Sequence, residues 1–218
     1  MKRIVVASLD LAGSRERPTG ACLLRGSRAK TALLYADEAV LDFVRAGRPD
    51  LVTIDAPLNL PPGRRAIADH NGEHFRPCDL EMRKWGIPFF PITLGPMREL
   101  TTRGILLRGR IMRDGFPVRE MYPGGAQDLW RLPRARRDPA GLRRGLVRLG
   151  LRGLLGSASD HELDAATGAL VGRLFLEGRA WAWGDYATGA ILMPLPSRPG
   201  WEARRPGFRR PAPSSSDR

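Results

Sequence analysis

Four acids in this 218-residue chain stand where packing gives no reason for an acid. Asp10 ends the apolar run "RIVVASLD", Asp55 ends "LVTID", Glu120 lies within "FPVREMY", and Asp164 sits in "SASDHELDAATGAL". A buried carboxylate without a partner costs several kcal/mol, so each needs compensation. Carboxylates gathered within a few ångströms repel one another unless a cation lies between them, and hard oxygen donors suit Mg²⁺ or Mn²⁺. The chemistry open to such a set is two-metal hydrolysis, in which one ion activates a water and the other steadies the leaving oxygen. Taken singly, each acid also has an ordinary reading. Asp10 can cap the turn at Ala12 and Gly13, Asp55 can turn the chain before Pro57, Glu120 can pair with Arg119 or another Arg, and Asp164 can be a solvated helix residue.

The elements that must carry these acids can be read from the hydrophobic pattern. "RIVVASL" is apolar without alternation, as expected of a strand covered on both faces. "TGACLLRG" and "KTALLYA" are two further strands, and the three together form an antiparallel meander. Ala39, Val40, Phe43 and Val44 form a helical stripe ending near Gly47, and "LVTID" is a fourth strand. If the strands of Asp10 and Asp55 are parallel neighbours, their acids share one sheet edge, where open sheets place their sites. From about residue 56 to 93 a Pro-rich excursion follows, with helical pieces expected at 65–69 and 79–85. The spacing of Leu94, Met97, Leu100, Ile105 and Leu106 predicts a helix over 94–112. "FPVREMY" is a fifth strand, closed by a turn at Pro123 to Gly125. Ser159 with Glu162 is a capping box that starts a helix at Asp160. Ala165, Ala166, Gly168, Ala169 and Gly172 would let this helix approach a neighbour closely. "AILMPL" adds a last strand or a packed extension.

The order of three strands, helix, strand, helix, strand, helix is that of the ribonuclease H-like fold, whose site gathers acids from the first strand, the fourth strand and the last helix. The segments "SLDLAGS", "TIDAPLNLP", "RPCDLEMRKWGIPFFPIT", "VREMYPGGAQDLW" and "SDHELDAATGAL" together resemble a bacterial and archaeal family of predicted nucleases with that fold, a domain of unknown function. The similarity runs from about residue 3 to about residue 194. It implies an α/β domain over 1–195 with a mixed five-stranded sheet flanked by helices. It also implies a metal-dependent phosphodiesterase site made of Asp10, Asp55, Glu120 and Asp164. Asp10 would be the ligand shared by two Mg²⁺ or Mn²⁺ ions, with Asp55 and Asp164 completing the two sites. Glu120 would be a further ligand or the base for the water.

Composition narrows the partners. Basic residues outnumber acidic ones 36 to 23, for a formal charge of +13, which attracts a polyanion and points to nucleic acid. The bland alternative is a codon bias toward Arg, since 33 of the 36 are Arg. The basic residues cluster over 131–152 and again in a Pro, Arg and Ser-rich tail, 196–218, expected to be disordered. Two cysteines are too few for a disulfide framework, and no run of about 18 apolar residues exists, so a reducing, cytoplasmic setting without a membrane span is expected. Arg83, Lys84 and Arg98 are candidates for gripping phosphate, and His161 for assisting proton transfer beside Asp164. His70, His74 and Cys78 recur every four residues and could share a helix face around Zn²⁺, although Gly72 and Pro77 oppose that helix. The five tryptophans and "PFFP" offer stacking surfaces for bases or, in the ordinary reading, core anchors. Two rival functions stay open. "DLAGS" also resembles the first phosphate loop of actin-like and sugar-kinase-like ATPases, which usually have two related lobes. The other rival is a basic nucleic-acid-binding module without catalysis.

Overall fold

A computed structural model describes residues 3–195; the expected tail over 196–218 lies outside the described residues. The elements follow in the order β1 (Val5–Asp10), β2 (Thr19–Arg25), β3 (Arg28–Leu34), α1 (Asp37–Gly47), β4 (Leu51–Ile54), α2 (Pro77–Lys84) and α3 (Gly95–Arg113). Then come β5 (Val118–Met121), α4 (Pro123–Trp130), α5 (Pro139–Arg148), α6 (Asp160–Leu176), β6 (Ala180–Asp185) and β7 (Gly189–Pro194).

The strands form one mixed sheet of seven, in the order β3-β2-β1-β4-β5-β7-β6, rather than the five expected. β1, β2 and β3 make the antiparallel meander, while β1, β4, β5 and β7 run parallel. The two extra strands come from the C-terminal hairpin, in which β6 pairs antiparallel with β7. "AILMPL" is thus a strand, and its partner is the Trp-rich "AWAWGD", which is only partly buried and ends on Gly184 and Asp185.

β1 is central and buried on both sides, which explains its unbroken apolar run. Val6 faces a core shared with Leu163, Ala166 and Leu170 of α6 and Leu142 and Leu146 of α5. Ala7 and Leu9 face the opposite core, with Val40, Leu41 and Val44 of α1 and Leu107 and Ile111 of α3. A third core seats Cys78 and Met82 of α2 against Trp183 of β6 and Ile191 and Met193 of β7.

Three further departures from expectation have local causes. Pro123 begins α4 instead of closing a turn, because proline suits the first helical position, where an N–H would have no partner. α5 has no counterpart among the expected elements of the Arg-rich stretch, although Asp138 caps it by accepting from Gly141 N at 2.7 Å and Pro139 follows at the first turn. The helical piece expected at 65–69 is a loop. Its turn is tied by Asp69, which accepts from the N–H groups of Arg65 and Ala66, and by the buried Arg64 guanidinium, which donates to the carbonyls of Ile67, Asp69 and Glu73.

α6 begins with the expected capping box, Ser159 accepting from Glu162 N and Glu162 from Ser159 N. Its small residues do let it lie directly on the sheet. A Cβ added at Gly172 would come within 2.8 Å of Val6 and 2.9 Å of Thr53, and one at Gly168 would strike Ser8 and Met121. From the sheet side, a Cβ at Gly20 would collide with the main-chain carbonyl of His161. Gly20 is the residue paired with Asp10 across β1 and β2, so the first turn of α6 is held over the end of β1. Gly20→Ala should therefore push α6 outward and destabilise the chain by about 1–3 kcal/mol, read as a fall of several degrees in Tm by thermal unfolding; an unchanged Tm would contradict this packing.

Candidate functional site

Three of the four acids meet at the carboxyl end of β1 and β4. Asp10 is the last residue of β1, and Asp55 follows β4 directly, its N–H donating to Leu9 O at 2.8 Å as the next rung of the parallel ladder. Their carboxyl groups come within hydrogen-bonding reach of each other. Burial first, then the charges of Asp10, Asp164 and Glu120, push the Asp55 carboxyl well above the usual carboxylate range. Asp164 projects from the second turn of α6, pushed up to about 7 by burial and by Asp10, with a hydrogen bond from Gln127 opposing.

His161 lies one turn before Asp164 on the same face of α6. Its Nδ1 is 2.6 Å from Asp10 Oδ2. That hydrogen bond raises the imidazole above its usual range, with partial burial opposing.

Glu120 is placed differently from the other three. From β5 it accepts both guanidinium arms of Arg76, at 2.6 and 2.7 Å, and the main-chain N–H of Leu58 at 2.9 Å. Arg76 is fully buried and also binds both oxygens of Asp79. Burial raises Glu120, and Arg76 beside it pulls the other way. With both oxygens bonded by Arg76, Glu120 anchors the Pro-rich excursion and the turn after Asp55, while its charge also acts on Asp55 from the border of the acid site. Among the described residues, no group of three or more His, Cys, Asp or Glu side chains is arranged to hold a metal ion.

The expected phosphate grips are scattered. Arg98, on α3, lines a cleft of about 310 Å³ with Gly13, Arg15, Thr102 and Arg103, beside the loop that follows Asp10. Arg83 and Lys84 are exposed on α2, which packs on β6 and β7, and Arg83 lies over the Phe75 ring. The zinc arrangement is not built: His74 is exposed and bonds Thr93, His70 is exposed in the loop, and Cys78 is buried in α2, where burial pushes its thiol up. Among the described residues, Trp85 stands edge-on to Trp183 and Phe89 lies against Tyr122 as packing anchors, whereas Phe90 is exposed; Trp201 lies outside the described residues.

No protein-family model matches the chain, so the family resemblance rests on its motifs alone. No curated protein matches it either. Among solved structures, the chain is similar to T. thermophilus RuvC in complex with a Holliday junction substrate, at 14% identity, over 80% of this chain and 96% of that one, with a TM-score of 0.45. It is also similar to a second Thermus thermophilus RuvC structure, again at 14% identity, over 88% of this chain and 100% of that one, with a TM-score of 0.44.

Two supporting residues do not announce themselves in the sequence. Gln127 on α4 is buried and donates from Nε2 to Asp164 Oδ1 at 2.6 Å and to Thr167 Oγ1 at 3.2 Å. Its only sequence signal is a polar residue inside "PGGAQDLW". Arg76 has one too, an acid three residues on at the start of a helix, but its main partner is 44 residues away.

The raised groups make stability depend on pH. Asp55 and Asp164 bind protons more tightly folded than unfolded, so their contribution is complete below the ordinary carboxylate range. It is lost as pH rises from 3.8 towards about 7 for Asp164, and the raised His161 extends the loss upwards. In EDTA, Tm should fall across that window. Asp55→Asn, which removes the most repelled charge, should raise Tm at pH 8 by roughly 2–8 °C, for a gain of about 1–2 kcal/mol. A variant less stable than the parent at pH 8 would refute the repulsion.

Proposed function

We propose that this chain is a divalent-metal-dependent nuclease of ribonuclease H-like fold that hydrolyses phosphodiester bonds of nucleic acid. The observation that carries the reading is the convergence of Asp10, Asp55 and Asp164, from two adjacent parallel strand ends and the helix laid across them, close enough that the first and third raise the second. The β3-β2-β1-β4-β5 part of the sheet, antiparallel and then parallel, supports the fold assignment. The family motifs in the sequence agree with both.

In donor type, though not in the arrangement their side chains take here, the set suits a hard divalent cation: three carboxylates in mutual repulsion, of which Asp10 is bonded by the titratable His161 and Asp164 by the neutral amide of Gln127. Asp10, Asp55 and Asp164 would hold Mg²⁺ or Mn²⁺, with Asp10 central. Bound ions of this kind activate a water and steady the leaving oxygen. The protein's own groups do the positioning. Gln127 fixes Asp164 Oδ1, His161 holds Asp10 Oδ2 and can take or return a proton at Nδ1, and Glu120 pins Leu58 behind Asp55. Gly13 and Arg98 line the cleft beside the loop after Asp10, together with Arg15, Arg103 and the acids Asp37 and Glu99, and a phosphate there would meet Arg98. Arg83 and Lys84 would serve only a strand long enough to reach α2. The formal charge of +13 suits a polyanionic substrate. A Mg-ATP site would need a second lobe, whereas residues 3–195 form one sheet.

The test is a panel of single-stranded, duplex, branched and hybrid nucleic acids incubated with Mg²⁺, Mn²⁺ or EDTA. Cleavage should require the metal and disappear in Asp10→Asn and Asp164→Asn, while folding and polyanion binding persist. No metal-dependent cleavage anywhere on the panel, with Mg²⁺-dependent ATP turnover instead, would overturn the proposal. Retained binding alone, indifferent to metal and to the acids, would leave a non-catalytic binding module. Gln127→Ala should weaken Mn²⁺ binding about 10–100-fold in a direct titration, the effect usual for a residue that orients a ligand.

A further inference from the structure

We propose that the arginines of residues 131–152 form a nucleic-acid-binding strip that runs from the acid site along the α5 side of the sheet to the β2–β3 turn. The proposal rests on the nuclease reading for its choice of partner, and locates the surface that holds it.

This segment carries eight arginines against a single acid, Asp138. Its apolar residues are committed inwards, with Leu142, Leu146 and Leu151 fully buried in the core shared with α6. Arg136, Arg137, Arg144, Arg148 and Arg152 remain exposed. A codon bias would scatter arginine; here the fold gathers it on one side of one layer.

Both ends of the strip are located by bonds to neighbouring elements. At one end Arg136 Nε lies 3.5 Å from Asp160 Oδ2, and Asp160 opens α6 immediately before His161, the partner of Asp10. At the other end Arg152 N donates to Ser27 O and Ala29 N donates to Arg152 O, which fastens Arg152 beside Arg28 at the β2–β3 turn. That turn follows Arg25, the partner of Val5, whereas Asp10 pairs with Gly20, so the two ends of the strip lie at opposite ends of β1. Six residues of strand span roughly 20 Å, about six base pairs of duplex at 3.4 Å each. A strand cut at the acids would thus have its flank on the arginines.

The closing experiment measures binding, not cleavage, with the full chain in EDTA. A 20-base-pair DNA duplex is titrated against the wild type, against R137Q/R144Q/R148Q/R152Q, and against a control, R45Q/R65Q/R110Q/R113Q, with the same charge change elsewhere. The strip variant should bind at least 10-fold more weakly, with its slope of log affinity against log salt reduced by about 3 to 4, at about 0.9 for each phosphate that is no longer neutralised. Tm and Mn²⁺ affinity should match the wild type, and the control should lose much less. Equal losses in the two variants, or no loss in the strip variant, would each overturn the strip. Failure of the nuclease reading appears separately, as an absence of cleavage with strip-dependent binding intact.

Discussion

Main-chain contact between the first turn of α6 and β2, where His161 O meets Gly20, sets the height at which the carboxylates of the site stand. A side chain at Gly20 would push this turn, and His161 and Asp164 with it, away from the end of β1. Glycines 168 and 172 continue the approach along the helix, against Ser8, Met121, Val6 and Thr53. The same packing that completes the core therefore presses like charges together. The raised Asp55 and Asp164 carboxyls are the electrostatic trace of that compression.

A second constraint works from the opposite side. Arg76 is a charge removed entirely from water, and it is tolerable only because Asp79 and Glu120 bond its guanidinium. Glu120 in turn takes the Leu58 N–H, while Arg108 donates to Leu58 O from α3. The turn after Asp55 is thus held from both sides, and an excursion that looks irregular in sequence is tied to the centre of the sheet. Of the four acids, three repel one another at the sheet edge, and the fourth, paired with Arg76 as an anchor, adds its charge to theirs at Asp55.

Patterns with a local cause are legible in the sequence. The unbroken apolar β1, the β-meander, the stripe of α1, the 19-residue α3 and the Ser159–Glu162 capping box all depend on neighbours within a few residues. α4 and α5 are hidden because glycine and arginine dilute the apolar period, even though a proline marks the start of each. Only β7 of the β6–β7 hairpin is legible, because it is fully apolar and buried, whereas β6 is half-buried and ends on Gly184 and Asp185.

By itself, the sequence determined which residues could do chemistry: acids at the ends of buried apolar runs announce themselves, because burial without compensation is too costly to be idle. It also determined that α6 could lie close to the sheet, since only small side chains permit it. The tertiary structure decided which acids meet. Strand order and register joined Asp10 to Asp55 and laid Asp164 over them, and a guanidinium 44 residues away claimed Glu120. His161, Gln127 and Arg76 acquired their places in the same way, because the partner of a polar side chain is set by distance in space, of which spacing along the chain carries no record.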